Sequence, residues 1–217
     1  MLDSESVGGH HVEITVNGRN YWGYTSIPAP QDLCCVDGLR NRPEEQLVTS
    51  VAIHEAGHAV AAFYAQIPVA SVEITALPAC VRCQAPRVSG RNQGLCLGVG
   101  TADDTLRMLA AGVEAELLWA EGQGSVSDAE RWAIEVGGID DQGTARDVVD
   151  SIQIEGWPEL DYRPPGPVPQ FWNWPHQRER ARSAARCWWG QIEAVANQLV
   201  HCRRLDPAEI TAVLNSS

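Results

Sequence analysis

Two histidines four residues apart, His54 and His58, stand in the middle of a stretch, residues 43–66, that has the period of an α-helix. Pro43-Glu44-Glu45 supplies a start, because proline suits the first helical turn and carboxylates suit the positive end of the helix dipole. Pro68 supplies a stop. Leu47, Val51, His54, His58, Ala61 and Ala65 recur at spacings of three or four and define one face. Both imidazoles therefore point the same way, among apolar neighbours, where burying them without a shared partner is costly. A fold built on this helix has to bring that partner to them. Glu55, rotated about 100° around the axis, lies close by without joining the pair.

His54-Glu55-Ala56-Gly57-His58 has the spacing of a zinc hydrolytic site, in which both imidazoles ligate and the glutamate acts as general base toward water. A catalytic zinc takes a third protein ligand and keeps one position open. His10, His11, His176 and His201 do not fall at the spacing of a third-histidine motif, since Ala61-Ala62-Phe63-Tyr64 follow instead. A carboxylate from a later helix is expected, and Glu114, Glu116, Asp128, Asp140, Asp141 and Asp147 are the choices.

The rest of the chain reads as mixed. Val12, Ile14 and Val16 alternate with polar residues, Asn17-Gly18 follows, and Tyr21, Trp22 and Tyr24 resume, which predicts a β-hairpin. Residues 26–42, with Pro28, Pro30 and Gly38, read as a loop. Residues 71–77 alternate as a strand, 78–93 form a polar excursion, and 94–100 return as a second strand. Thr101, with Asp104 three residues on, resembles a capping box and opens a helix through Leu106, Leu109, Val113, Leu117 and Leu118. Residues 125–136 form a short helix stopped by Gly137-Gly138, and another helix runs from Asp140-Asp141 to Ile152. The proline-rich residues 156–175 form a loop that its aromatic side chains pin to the surface. Residues 176–204 read as one long helix with Trp188, Trp189, Ile192, Val195 and Leu199 near one face, and Asp206-Pro207 opens a last short one. The fold expected is mainly α, of the α+β class. Residues 43–217 would form a zincin-like helical domain with a small β-sheet, and residues 1–42 an extension made of a β-hairpin and a loop.

A net charge of −12 offers no basic face to nucleic acid or an anionic membrane. All sixteen cations are arginines, so the lysine of a P-loop is missing and any ATP-driven step needs a separate unfoldase. Residues 1–10 lack the basic start and apolar run of a signal peptide, and no window of about 18 residues is apolar enough to span a bilayer. A cytoplasmic protein without membrane insertion is expected. Of the seven cysteines, Cys80-x-x-Cys83 with Cys96 nearby has the spacing of a metal knuckle or a disulfide but no local fourth ligand. These read as ordinary loop thiols ahead of a structural zinc site, and Cys34-Cys35 as buried or inert. Trp188-Trp189 and the aromatic loop read as core packing ahead of a surface for an unfoldase or oligomer partner.

Ile53-His54-Glu55-Ala56-Gly57-His58-Ala59 is similar to the signature of the FtsH family of ATP-dependent zinc proteases. Val72-Glu73-Ile74-Thr75-Ala76-Leu77-Pro78 resembles the strand after that family's metal helix, and residues 94–100 its return. Ala111-Gly112-Val113-Glu114-Ala115-Glu116 looks like its Gly-Gly-Arg-x-Ala-Glu segment, with Val113 in the arginine's place. Residues 192–199 and 205–210 resemble its closing helices, so the resemblance spans about residues 43–214.

The resemblance implies a zinc metalloendopeptidase acting on polypeptides, with Zn2+ as cofactor, His54 and His58 as ligands and Glu55 as general base. The family's third ligand is an aspartate opening a helix in a Gly-Ala-Ser-Asn-Asp-x-x-x-Ala pattern. Residues 137–145 fit it and put the role on Asp141; residues 127–131, similar to Asn-Asp-Leu-Glu-Arg, keep Asp128 as the rival. Asp141 is favoured by its Gly-Gly lead and by Ala145. The family's ATPase module and membrane helices have no counterpart here, which implies a stand-alone peptidase domain. The strand at 71–77 is expected to pair with an extended substrate by β-augmentation. The alternative is a zinc-binding regulator or adaptor that cuts nothing.

Overall fold

The computed structural model describes residues 9–16, 19–31, 34–93, 101–152 and 159–216. The elements run β1 (His10–Val16), β2 (Arg19–Thr25), α1 (Val36–Arg40), α2 (Glu44–Tyr64), β3 (Ser71–Leu77), β4 (Arg87–Gln93), α3 (Ala102–Gln123), α4 (Asp128–Gly137), α5 (Ile139–Ser151), α6 (Trp174–Cys187), α7 (Trp189–Cys202), β5 (Arg204–Leu205) and α8 (Pro207–Ser216). This is an α+β fold in which the strands make two small antiparallel sheets, the hairpin β1-β2 and a three-stranded sheet in the order β4-β3-β5.

α2 is the axis of the molecule. Its first turn carries Glu44 and Glu45 after Pro43, as the sequence predicts. It is not the one-faced amphipathic helix the periodicity suggests, because every residue from 51 to 62 is buried. The reason is size. Positions off the apolar stripe are mostly Ala and Gly, so α3, α7, β3 and β4 approach from different sides. At the tightest crossing a Cβ on Gly57 would stand 2.7 Å from the Ala111 carbonyl oxygen and 2.8 Å from Ala115 Cβ. Only glycine lets α3 come that close.

Local signals fix most helix ends. Thr101 Oγ1 accepts the Asp104 amide at 3.1 Å, Ser127 Oγ accepts the Glu130 amide at 3.2 Å, and Asp206 exchanges hydrogen bonds with Glu209 at 2.8 and 2.9 Å in a capping box. Three expectations need correction. Residues 26–42 are not all loop, since α1 forms within them. Residues 78–93 are not all excursion: the partner of β3 is β4, paired from Leu77↔Arg87 to Ser71↔Gln93, while residues 94–100 lie outside the described residues. Residues 176–204 are not one helix. The chain breaks at Trp188, which stacks on Tyr64 with ring centroids 4.4 Å apart, and this redirects it. α6 then packs along α3, while Ile192, Val195 and Leu199 of α7 pack on α2.

The hairpin forms as expected, paired from His10↔Thr25 to Val16↔Arg19; the Asn17-Gly18 turn lies outside the described residues. It docks on α4 and α5. The Gln142 side chain acts as an extra strand residue, accepting from Tyr24 N and donating to Tyr24 O, both at 2.9 Å. Ser26 donates through N and Oγ to Glu135 at 2.6 and 2.7 Å, and Val12 packs with Trp132, Val136 and Ile139. Beneath this joint Arg178 of α6 bridges Glu114 at 2.5 Å and Glu135 at 2.9 Å. Among the described residues, no helix is long and apolar enough to cross a membrane.

Candidate metal centre

His54 and His58 lie one turn apart on α2, both buried, with Nε2 atoms 3.1 Å from each other. Asp141, in the first turn of α5, puts Oδ2 3.3 Å from His58 Nε2 and 3.6 Å from His54 Nε2. The outer nitrogens are committed elsewhere: His54 Nδ1 donates to Glu116 Oε2 at 3.0 Å, and His58 Nδ1 to the Met108 carbonyl at 2.9 Å. With the ring protons on Nδ1, both Nε2 lone pairs turn inward toward the Asp141 carboxylate. Three donor atoms so placed suit a shared cation. A proton satisfies one pair; a metal ion satisfies all three.

The distances fit zinc. Bonds of about 2.0–2.2 Å from zinc to nitrogen and oxygen place tetrahedral donors about 3.3–3.6 Å apart. The observed spacings are 3.1, 3.3 and 3.6 Å. Electrostatics agree with a cation site. Burial favours neutral His54, but its hydrogen bonds to the Asp141 and Glu116 carboxylates outweigh it and push the imidazole up to about 10. Burial likewise opposes ionisation of Asp141, but the charge of His58 and the hydrogen bonds from His54 and His58 hold its carboxyl far below the usual range. Glu116, 1% exposed, is kept ionised against burial by Arg40, whose Nη1 stands 2.6 Å away, and by Ser50 Oγ at 2.6 Å.

Glycines clear the space. A Cβ on Gly112 would stand 2.7 Å from His54 Nε2 and closer still to His58 Nε2. A Cβ on Gly138 would collide with Val113, so Gly138 lets the start of α5 settle on α3 and presents Asp141. A Cβ on Gly90 of β4 would stand 2.7 Å from Glu55 Cδ, so β4 lies directly over that carboxylate. Asn92, also on β4, donates from Nδ2 to Glu55 Oε2. Burial pushes the Glu55 carboxyl up, against the pull of His54 and His58.

The site opens into a cleft of about 900 Å³. Gly90 and Asn92 line one side, and Trp22, Tyr24 and Tyr162 line another. Tyr24 stacks on Tyr162 with centroids 4.2 Å apart, and the Arg146 guanidinium lies 3.9 Å from the Trp22 ring centre. Asp140, Asp147, Asp150 and Glu159 make part of the wall acidic.

Of the carboxylates considered from sequence, only Asp141 reaches the Nε2 pair. Asp128 is exposed in the first turn of α4, Asp140 and Asp147 line the cleft, and Glu114 is held by Arg178 and Arg182. Glu116 is the outer partner of His54. Sequence reasoning missed Arg40, Ser50, Asn92, Gly90 and Gly112. Gly112 alone carried a signal, as the glycine in the segment that runs to Glu116. Among the cysteines, Cys34 is exposed, not buried, and Cys96 lies outside the described residues. No protein-family model matches the chain, and no curated protein matches it.

Proposed function

We propose that this chain is a zinc-dependent metallopeptidase, a zincin-like domain of the kind found in FtsH-type proteases. The observation that carries this reading is the convergence of His54 Nε2, His58 Nε2 and Asp141 Oδ2 at zinc-donor spacing, with Glu55 on the same cleft wall. His54, His58 and Asp141 hold the metal. Bound zinc supplies Lewis acidity, drawing the pKa of water toward neutrality and polarising a carbonyl.

The remaining chemistry belongs to the chain. Glu55 takes a proton from the attacking water and delivers it to the departing amine nitrogen as the peptide bond breaks. Asn92 ties up Glu55 Oε2 and leaves Oε1 to act. Glu116 and the Met108 carbonyl keep both histidines in the ligating tautomer. In this reading β-augmentation passes from β3 to β4. β3 is flanked by β4 and β5, whereas β4 pairs only with β3 among the described residues. Its other edge is therefore the one available to an extended polypeptide. Gly90 and Asn92 bring that strand to the scissile site.

Zinc content and casein cleavage, measured on wild type, Glu55→Gln, Asp141→Asn and Asp128→Asn, test the reading. Glu55→Gln keeps its zinc and loses about 10²–10⁴-fold in rate. Asp141→Asn loses one equivalent of zinc relative to wild type, and Asp128→Asn loses none. Zinc binding without cleavage in wild type would leave a regulator or adaptor in place of an enzyme. Absence of zinc from the His54–His58 site would end the proposal.

A further inference from the structure

Four cysteines from two distant segments meet beside α1. Cys34 and Cys35 lead into that helix, and Cys80 and Cys83 lie in the connection from β3 to β4. The sulfurs of Cys34, Cys80 and Cys83 fall within 4.8 Å of one another. Cys34 Sγ is 3.9 Å from Cys80 Sγ, and Cys35 Sγ is 3.4 Å from Cys83 Sγ, across sequence separations of 46 and 48 residues. Burial does not explain the gathering, because Cys34 and Cys83 are exposed and Cys35 and Cys80 half-buried.

We propose that these four thiols form a second zinc site, structural in role and separate from the His54–His58–Asp141 centre. Zinc–thiolate bonds of about 2.3 Å place tetrahedral sulfurs about 3.8 Å apart. The Cys35–Cys83 and Cys34–Cys80 separations, 3.4 and 3.9 Å, bracket that value, and Cys35 joins the tighter group of Cys34, Cys80 and Cys83 through Cys83. Cys80-x-x-Cys83 has the spacing of one half of a four-cysteine site, and the backbone amides of Cys83 and Arg82 hydrogen-bond to the Cys80 sulfur. The Gly38 amide does the same for Cys35 Sγ at 3.3 Å. Such donors offset the negative charge that thiolates bring. Gly38 also leaves room, since a Cβ there would stand 3.1 Å from Cys35 Sγ and 3.3 Å from Cys83 Sγ.

On binding, each thiol gives its proton to solvent and its sulfur lone pair to the metal; nothing is oxidised or reduced. Four thiolates close the coordination shell, so no position is open for substrate. What the site does is clamp α1 to the root of β4, the strand that overlies Glu55. The alternative fate of the same thiols is a pair of disulfides, Cys34–Cys80 and Cys35–Cys83, which requires the sulfurs to close to about 2.05 Å.

The test uses the full chain, purified reduced and without chelator, with cobalt(II) and zinc as probes. Cobalt(II) gives a thiolate-to-metal charge-transfer band in the near ultraviolet, which two histidines and an aspartate cannot produce. The band is expected in wild type and in Asp141→Asn, and zinc displaces it. Cys80→Ser/Cys83→Ser loses the band and one equivalent of zinc. In wild type, with no variant needed, zinc slows alkylation of Cys34 and Cys83 at least about tenfold relative to the chelated protein, because ligated thiolates are poor nucleophiles. Absence of the band, equal alkylation rates, or an intact mass four hydrogens low would each overturn the thiol site. The outcomes separate the two proposals: the charge-transfer band reports only the thiols, and the zinc lost in Asp141→Asn reports only the histidines.

Discussion

Gly112→Ala should abolish zinc binding at the histidine site while replacing no ligand. The added Cβ would stand 2.7 Å from His54 Nε2, 2.7 Å from His58 Cε1 and closer to His58 Nε2. Unstrained non-bonded heavy atoms sit about 3.5 Å apart, so the rings must retreat by about 0.8 Å or more. Metal sites tolerate displacements of about 0.2 Å. Loss of an outer hydrogen-bond partner already costs about 10–100-fold in affinity, and a displaced ligand pair should cost more. The helices cannot part to absorb the methyl, because Gly57 has already brought α2 against Ala111 and Ala115. Alanine is nevertheless the better helix former by about 0.5–1 kcal/mol, so the fold should survive. Gly122, in the same helix, is the control, since a Cβ there meets nothing within 4 Å. Gly122→Ala should gain roughly that increment in thermal unfolding and leave zinc affinity unchanged. The assay is chelator competition for zinc beside a melting curve for both variants. Wild-type zinc affinity in Gly112→Ala would refute the reasoning, because the Nε2 atoms could not then converge beside Gly112.

Two further outcomes follow from the buried charges. In chelated protein the raised His54 contributes stability that is complete below its unfolded value of 6.5 and is lost as pH rises through about 10. Added zinc competes with that proton, so the rise in melting temperature on adding zinc should grow from pH 6 toward pH 9; a constant increment would contradict the shared site. Arg178→Met leaves Glu114 and Glu135, 3% and 1% exposed, short of a counter-charge. It should cost about 3–5 kcal/mol, or roughly 6–20 °C in melting temperature, without lowering zinc content. A change under about 1 kcal/mol would mean that Arg182 and Ser26 suffice for the two carboxylates.

What could be read from sequence was what is local. The His54–His58 spacing, the Thr101 and Asp206 caps and the Gly137-Gly138 break each act over one or two helical turns, and each appears where expected. What could not be read depends on which surfaces meet. The break at Trp188 answers to Tyr64, more than a hundred residues away. β4 hides in a polar stretch because only Val88 of its inner face meets the apolar core; the next inner position is Gly90, chosen by the Glu55 carboxylate it covers. Glu116 and Asp141 are both eligible by sequence, yet the crossing of α3 over α2 brings Glu116 to Nδ1, and the packing of α5 on α3 brings Asp141 to Nε2. The spacing of Cys80, Cys83 and Cys96 is local in the chain, while the thiol cluster needs a second segment to bring Cys34 and Cys35 to Cys80 and Cys83.

α1 shows how these non-local contacts reach the chemistry. Five residues are far below the roughly 12–15 at which an isolated helix holds itself, so α1 exists through what grips it. At its start the Gly38 amide and the sulfur of Cys35 meet within the thiol cluster. Along its side Val36 and Leu39 pack on the cluster around Trp132. At its end Arg40, 7% exposed, faces Glu116, and Glu116 in turn orients His54. A guanidinium buried to that degree cannot shift without stranding the Glu116 charge, which makes Arg40–Glu116–His54 a stiff connection. The segment that reads from sequence as a loop in an N-terminal extension is thus the link between the surface thiols and the imidazole that the candidate metal centre depends on.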